Sequence, residues 1–255
     1  MSISRRGFLG AAAGLSALAL AGKAALEAQQ LEHEPGEAAS AAATRWALVI
    51  DPRKCLEHGD CTKCIDACHK AHNVPLVRDQ AHEVKWIWKE RFEHTFSSLQ
   101  TDYPPEALRD KPVMVLCNHC DNPPCVRVCP TQATWKRADG IVMMDWHRCI
   151  GCRYCVAACP YGSRSFNWTD PRPFLAQTNP DFPTRSKGVV EKCTLCEERL
   201  AKGEPPACVE ACPAKAMVFG NLNDTASEVR SLLGSRFTIR RRPELGTRPA
   251  IYYIV

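Results

Sequence analysis

From Arg45 onward apolar residues come in short bursts rather than long periodic stretches. Residues 46–50 (WALVI) and 113–116 (VMVL) are unbroken apolar runs of strand length. Val84, Trp86 and Trp88 alternate with Lys85 and Lys89, the period-two signature of a strand with its tryptophans turned inward. Residues 135–145 place Asp139-Gly140 between apolar positions, a hairpin signal. Thr225 to Glu228 reads as a capping box for a short helix carrying Val229, Leu232 and Leu233 and stopped by Gly234. Residues 250–255 close the chain as a further strand. Segments 94–112 and 168–187 are polar and proline-rich, the second with Pro171, Pro173, Pro180 and Pro183. They are expected on the surface, as plain connections or as docking loops.

The N-terminal pattern differs. Ser4-Arg5-Arg6-Gly7-Phe8-Leu9 carries the paired arginines of a twin-arginine export signal, followed by a small-residue apolar stretch over 10–22. That stretch falls short of the roughly 20 apolar residues a membrane span needs. Small-x-small pairs at Ala19/Ala21 and Gly22/Ala24 both suit cleavage. The sequence therefore predicts a signal over 1–24, a flexible acidic and alanine-rich leader over 25–44, and one folded domain over 45–255, placed outside the cytoplasm in the periplasm. A route that exports folded proteins suits cysteines already occupied before crossing.

Sixteen cysteines set the chemistry. The third of their four groups, Cys149, Cys152, Cys155, Cys159 and Pro160, has the C-x2-C-x2-C-x3-C-P spacing of bacterial ferredoxins. In that spacing three thiolates wrap one iron–sulfur cubane and the fourth reaches a second. The second group (Cys117, Cys120, Cys125, Cys129, Pro130) and the fourth (Cys193, Cys196, Cys208, Cys212, Pro213) keep the C-x3-C-P ending but widen the middle gap. The first (Cys55, Cys61, Cys64, Cys68) puts its long gap first and has His69 where the others have proline. Groups that cannot close their own cluster work in pairs. The second and third, nineteen residues apart, pair with each other, and the first and fourth pair across them.

Other readings of the cysteines are weaker. Repeats of one short spacing are not a disulfide framework. The fourth group alone resembles a zinc ribbon, but it stands beside a ferredoxin run. Haem attachment needs C-x-x-C-H, whereas 64–69 reads C-x3-C-H. His58, His69 and His72 read as surface or supporting residues, since ligands in such runs are thiolates.

The formal charge of +5 falls to about −6 once Arg5, Arg6 and Lys23 leave with the signal and four clusters each add about −2. Nucleic acid is not an expected partner. The basic run Arg240-Arg241-Arg242 reads as a solvated strand end.

Residues 117–125 (CNHCDNPPC), Cys129-Pro130-Thr131, 148–155 (RCIGCRYC) and Glu191-Lys192-Cys193 resemble the four-cluster electron-transfer subunits of the DMSO-reductase, or molybdopterin oxidoreductase, superfamily. The likeness covers 45–255. Residues 55–61 (CLEHGDC), 67–75 (ACHKAHNVP) and 83–89 (EVKWIWK) are similar within it to the exported iron–sulfur subunits of the membrane redox complex linked to dissimilatory sulfite reductase. The resemblance implies an α+β fold of two pseudo-symmetric ferredoxin-like modules with short helices, hairpins and long surface loops. It also implies four [4Fe-4S] clusters. One takes Cys117, Cys120, Cys125 and Cys159; a second Cys149, Cys152, Cys155 and Cys129; a third Cys193, Cys196, Cys208 and Cys68; the last Cys55, Cys61, Cys64 and Cys212. The five-residue gap after Cys55 leaves a three-iron cluster or an odd ligand open there.

The expected function is a one-electron relay with no catalytic residue of its own. Its implied partners are an integral membrane quinone-reactive subunit, a multihaem cytochrome c and further subunits of a membrane complex in sulfur metabolism. Two alternatives stand beside it: the electron-transfer subunit of a molybdenum enzyme such as a tetrathionate or polysulfide reductase, and a zinc-stapled binding module.

Overall fold

A computed structural model describes residues 44–99, 106 and 108–255. The expected export signal over 1–24 and all but the last residue of the leader over 25–44 lie outside the described residues. In chain order the strands are β1 (Trp46–Ile50), β2 (Ile87–Arg91), β3 (Pro112–Leu116), β4 (Thr134–Lys136), β5 (Val142–Met144), β6 (Ser165–Phe166), β7 (Val190–Glu191), β8 (Met217–Asn221), β9 (Thr238–Ile239) and β10 (Ile251–Ile254). The helices are α1 (Pro52–Leu56), α2 (Lys63–His72), α3 (Phe92–Thr95), α4 (Pro124–Arg127), α5 (Tyr154–Ala158), α6 (Glu197–Leu200), α7 (Ala207–Glu210) and α8 (Glu228–Ser235).

The unbroken apolar run of β1 is explained by its place inside a four-stranded mixed sheet ordered β8-β1-β10-β9. A strand covered on both faces has no polar face to alternate. Leu48 and Ile50 enter the main core with Trp86, Leu116, Ile251 and Tyr253. Ala47 and Val49 face Val229 of α8 and Ala250. β1 runs antiparallel to β8, with Leu48 opposite Phe219, and parallel to β10, with Leu48 opposite Ile251. The strand leading into the first cysteine group is thus hydrogen-bonded to the strand that follows the fourth. Three two-stranded ribbons, β2-β3, β4-β5 and β6-β7, complete the sheets among the described residues.

The strand and hairpin expectations at 46–50, 113–116, 135–145 and 250–255 match β1, β3, β4-β5 and β10. Others need correction. β2 starts only at Ile87, and Trp86 and Ile87 are both buried, so the expected alternation breaks. The backbone ahead of the strand sends Trp86 into a polar cage described below, and Trp88 stays half-buried under Lys85. The cap of α8 is Ser227, not Thr225: its hydroxyl accepts from Arg230 N at 3.3 Å and donates to the Asn221 carbonyl at 2.8 Å. Gly234 lies within α8, which runs on to Ser235 and ends at extended Arg236.

The two long segments are not wholly superficial. Phe96 and Leu108 are buried, and so are Arg185 and the Asn73 side chain that donates to the Asn179 and Phe182 carbonyls. Arg241 is also buried rather than solvated, with its guanidinium 5.2 Å from the Tyr161 ring centroid. Among the described residues no helix is long and apolar enough to cross a membrane.

Candidate cluster-binding centres

Local rules place the cysteines. Asp51 caps α1 by accepting from Arg53 N and Lys54 N at 3.0 and 3.3 Å, with Pro52 at the first turn, and so sets Cys55 on α1. β3 ends at Leu116 and delivers Cys117. Cys64 and Cys68 sit one turn apart on α2, a rise of about 6 Å. That step is enough to aim the two thiols into different sites, which is the physical meaning of the C-x3-C spacing.

All sixteen cysteines are free thiols. Cys117, Cys120, Cys125 and Cys159 wall one cavity together with Asn118, Pro124, Val142 and Arg164. Cys55, Cys61, Cys64 and Cys212 wall another with His58, Pro213 and Met217. In each the fourth thiol comes from a different sequence group. Cys68 is fully buried; burial first, then the neighbouring Cys193, Cys208 and Cys196, push its thiol well up. Those four therefore lie close together, with Cys64 also nearby. Of the remaining set, Cys129, Cys149 and Cys155 pack in one apolar cluster, which also holds Cys125, and Cys125 and then Cys149 help burial to raise Cys155. Cys152 lies half-exposed in the intervening loop.

The backbone repeats itself around three of the groups. Two residues after the first cysteine, His119, Gly151 and Leu195 all have positive φ (40, 70 and 59°). Three residues after the last cysteine, Gln132, Gly162 and Lys215 do the same (53, 66 and 47°). The first group has no such pair. For a non-glycine residue this conformation costs about 1–2 kcal/mol, and it persists where surroundings over-determine it. Its effect is to turn amides inward. Leu195 N donates to Cys193 Sγ and Ala216 N, just after Lys215, to Cys212 Sγ; Ala207 N, at the start of α7, donates to Cys196 Sγ, each at 3.3 Å. Burial acts to raise Cys129, but the Thr134, Thr131 and Ala133 amides and the Thr131 hydroxyl outweigh it and hold the thiol below its usual value.

Elsewhere the thiols crowd one another. Burial, Cys55 and Cys212 push Cys64 up to about 12, and burial with Cys117 does the same to Cys120. Sulfurs packed this way are poor thiolates until a cation gathers them. Iron–sulfur clusters fit the donor set: four thiols per site, amides aimed at sulfur, and a dry wall. Asn118 lines the first cavity with both side-chain polar atoms buried and unpartnered, and the Thr194 hydroxyl beside Cys193 is likewise buried without a partner. Asn118 would be placed to offer a hydrogen bond to a group held in that cavity.

The sequence reading missed the charges between these sites. Arg164 is buried against Cys125, and Lys192 is fully buried, donating to the Cys193 carbonyl. Arg185 pairs with Glu191 at 2.7 Å, neither side chain being exposed. His72, expected as a surface or supporting residue, is buried: Nδ1 donates to the Cys68 carbonyl at 3.0 Å and Nε2 pairs with Glu198 at 2.8 Å. Lys192 had one signal, a charged pair inside the apolar run 189–193; Arg185 had none.

The family model for a 4Fe-4S dicluster domain matches residues 109–172 and 179–222, which takes in the second, third and fourth groups. The chain is 42% identical to the Hdr-like menaquinol oxidoreductase iron-sulfur subunit 1 of Archaeoglobus fulgidus, over 82% of each protein. It is 35% identical to the menaquinone reductase iron-sulfur cluster-binding subunit of Nitratidesulfovibrio vulgaris, covering 82% of this chain and 88% of that protein. It is also 35% identical to a tetrathionate reductase subunit of Salmonella typhimurium, covering 82% and 72%. With thiol quartets drawn from different sequence groups and relatives of this closeness, the chain belongs to the 4Fe-4S dicluster family of iron–sulfur electron-transfer subunits.

Proposed function

We propose that this protein relays single electrons along four [4Fe-4S] clusters, held by the four cysteine sets given above, between a membrane quinone-reactive subunit and a multihaem cytochrome c. The observation that carries the reading is the crossing of ligands. Cys159 joins Cys117, Cys120 and Cys125, and Cys212 joins Cys55, Cys61 and Cys64. A zinc ribbon has no use for such exchange between groups.

The clusters, when bound, supply the one-electron chemistry, and no substrate bond is made or broken on this chain. The chain's own residues do four things. The cysteines anchor; the Leu195, Ala207 and Ala216 amides neutralise sulfur charge; apolar Val142 and Met217 exclude water; Asn118 and Thr194 offer hydrogen bonds. Donors of this kind favour the reduced, more negative state.

The quinone link is supported by the menaquinol and menaquinone relatives. We assign the protein to the periplasm by the Arg5-Arg6 signal and to a sulfite-reductase-linked membrane complex by the likeness of residues 55–61 and 83–89. The tetrathionate reductase relative favours a second reading, service to a molybdopterin subunit.

Anaerobic purification with iron and sulfide analysis and an EPR redox titration tests the relay. About sixteen iron and sixteen sulfide per chain and four titrating signals are expected; a colourless protein holding zinc and no acid-labile sulfide ends the reading. Arg5→Lys/Arg6→Lys should hold the protein in the cytoplasm. Molybdenum rather than haem in the purified complex would select the second reading.

A further inference from the structure

We propose that Arg164 is a positioning residue that raises the electron affinity of two neighbouring clusters together, the one held through Cys125 and the one held through Cys155. This rests on the four-cluster reading above. Arg164 follows the third cysteine group and turns its guanidinium onto Cys125, which α4 carries; Cys155 sits on α5. Nη2 donates to Cys125 Sγ at 3.2 Å and to Thr134 Oγ1 at 2.7 Å, and Nη1 points to Met144 Sδ at 3.6 Å. Cys125, Cys155 and Met144 share one buried apolar cluster.

A buried cation needs a counter-charge, and burying one without it costs several kcal/mol. Among the described residues no carboxylate forms an ion pair with Arg164. The groups that face the buried guanidinium are the sulfurs of Cys125 and Met144 and the Thr134 hydroxyl. Cys155 packs with Cys125 and Met144, the two sulfurs the guanidinium touches, in one buried cluster. The guanidinium thus lies among sulfurs assigned to two different clusters.

A fixed positive charge stabilises the reduced form of each more than the oxidised form. One electron arrives from a reduced partner and one leaves to an oxidised partner. Arg164 keeps its proton throughout, since a guanidinium does not titrate in this range. Because the same charge serves both sites, it raises both potentials together and leaves the energy gap between them little changed.

The test uses the full-chain holoprotein, loaded and handled anaerobically, titrated by EPR with dithionite and redox mediators. In Arg164→Met two of four signals should become harder to reduce, their reduced-to-oxidised ratio at a fixed potential falling at least tenfold, about 59 mV for one electron. The other two should stay in place. Arg164→Lys should recover most of the loss, and Thr134→Val, which frees the guanidinium but keeps its charge, should give a smaller shift in the same two signals. Should Arg164→Met fail to retain iron, those two milder variants decide. Four loaded clusters with unmoved potentials, or with all four moved alike, overturn the proposal. A wild-type protein without acid-labile sulfide overturns the relay instead.

Discussion

Arg185→Met should be among the most destabilising substitutions in the chain. Arg185 and Glu191 pair at 2.7 Å with both side chains wholly inaccessible. The Arg185 guanidinium also donates to the His72 and Asn73 carbonyls, each at 2.5 Å, and lies 5.3–5.9 Å from the Trp86, Trp146 and Phe182 ring centroids. Glu191 accepts in addition from Trp86 Nε1 and Asn167 Nδ2. Removing the cation leaves a carboxylate in a dry site with neutral donors only. Stranding one member of a buried pair costs about 3–5 kcal/mol, and the two deserted carbonyls add to it. For a domain of this size that is a fall in Tm of about 6–20 °C. Thermal unfolding of the loaded protein at one scan rate, followed by far-ultraviolet circular dichroism and cluster absorbance, reads the loss. The diagnostic comparison is Arg185→Met/Glu191→Gln, in which no charge is stranded and the introduced amide can still accept. It should regain at least half of the lost Tm, a coupling measurable by a double-mutant cycle. A single variant costing under about 1 kcal/mol, or a double variant no better than the single, would refute the reasoning.

Cys212→Ser should lower iron and sulfide by about a quarter and remove one EPR signal; loss of two signals would contradict its placement with Cys55, Cys61 and Cys64 alone. Gly151→Ala meets two penalties, a φ of +70° and a Cβ that would lie 2.3 Å from the Gly188 carbonyl oxygen. It should cost at least about 2 kcal/mol, or about 4–8 °C of Tm, and an unchanged Tm would mean the loop yields. Tyr253 is fully buried and donates to the Met114 carbonyl at 3.3 Å, so Tyr253→Phe should cost about 0.5–1.5 kcal/mol at neutral pH. Burial pushes this phenol up to about 12 in the fold, against about 10 unfolded. Its contribution is therefore full below about pH 10 and is lost as pH rises toward 12; denaturant midpoints of the two proteins should converge across that window.

How much of this was legible follows from what each residue answers to. β1, β3, the β4-β5 hairpin and β10 were readable because their signals are local: an apolar run or a glycine turn flanked by apolar residues. The exchange of ligands between cysteine groups was readable from spacing, because C-x3-C on one helical turn aims its two thiols into different sites, whereas the individual quartets were implied only by the resemblance. The cap of α8 was misread because Thr225 and Ser227 both satisfy the local rule. Tertiary contact decides between them, through Ser227 bonding to Asn221 and Val229 packing 3.1 Å from where a Cβ on Gly220 would stand. The αL turns at His119, Leu195, Gln132 and Lys215 carry no sequence mark, whereas Gly151 and Gly162 at matching positions do. Only comparison of the groups in space reveals that all six residues do the same thing.

The buried cations that the sequence reading passed over, Arg164 and Lys192, have one surrounding in common. Charge was read as solvent-seeking, which holds for a core of hydrocarbon. This core contains sixteen sulfurs, many of them buried and mutually repelling. A cation in such an interior would not be stranded once clusters are bound, because the thiolates that hold them would supply its counter-charge. Arg164 lies against Cys125 and Lys192 acts against the burial of Cys193. Lys192 is the sharper case, since its ammonium donates to a carbonyl and, among the described residues, pairs with no carboxylate. Lysine and arginine flanking a cysteine motif are thus read better as interior counter-ions than as a surface patch.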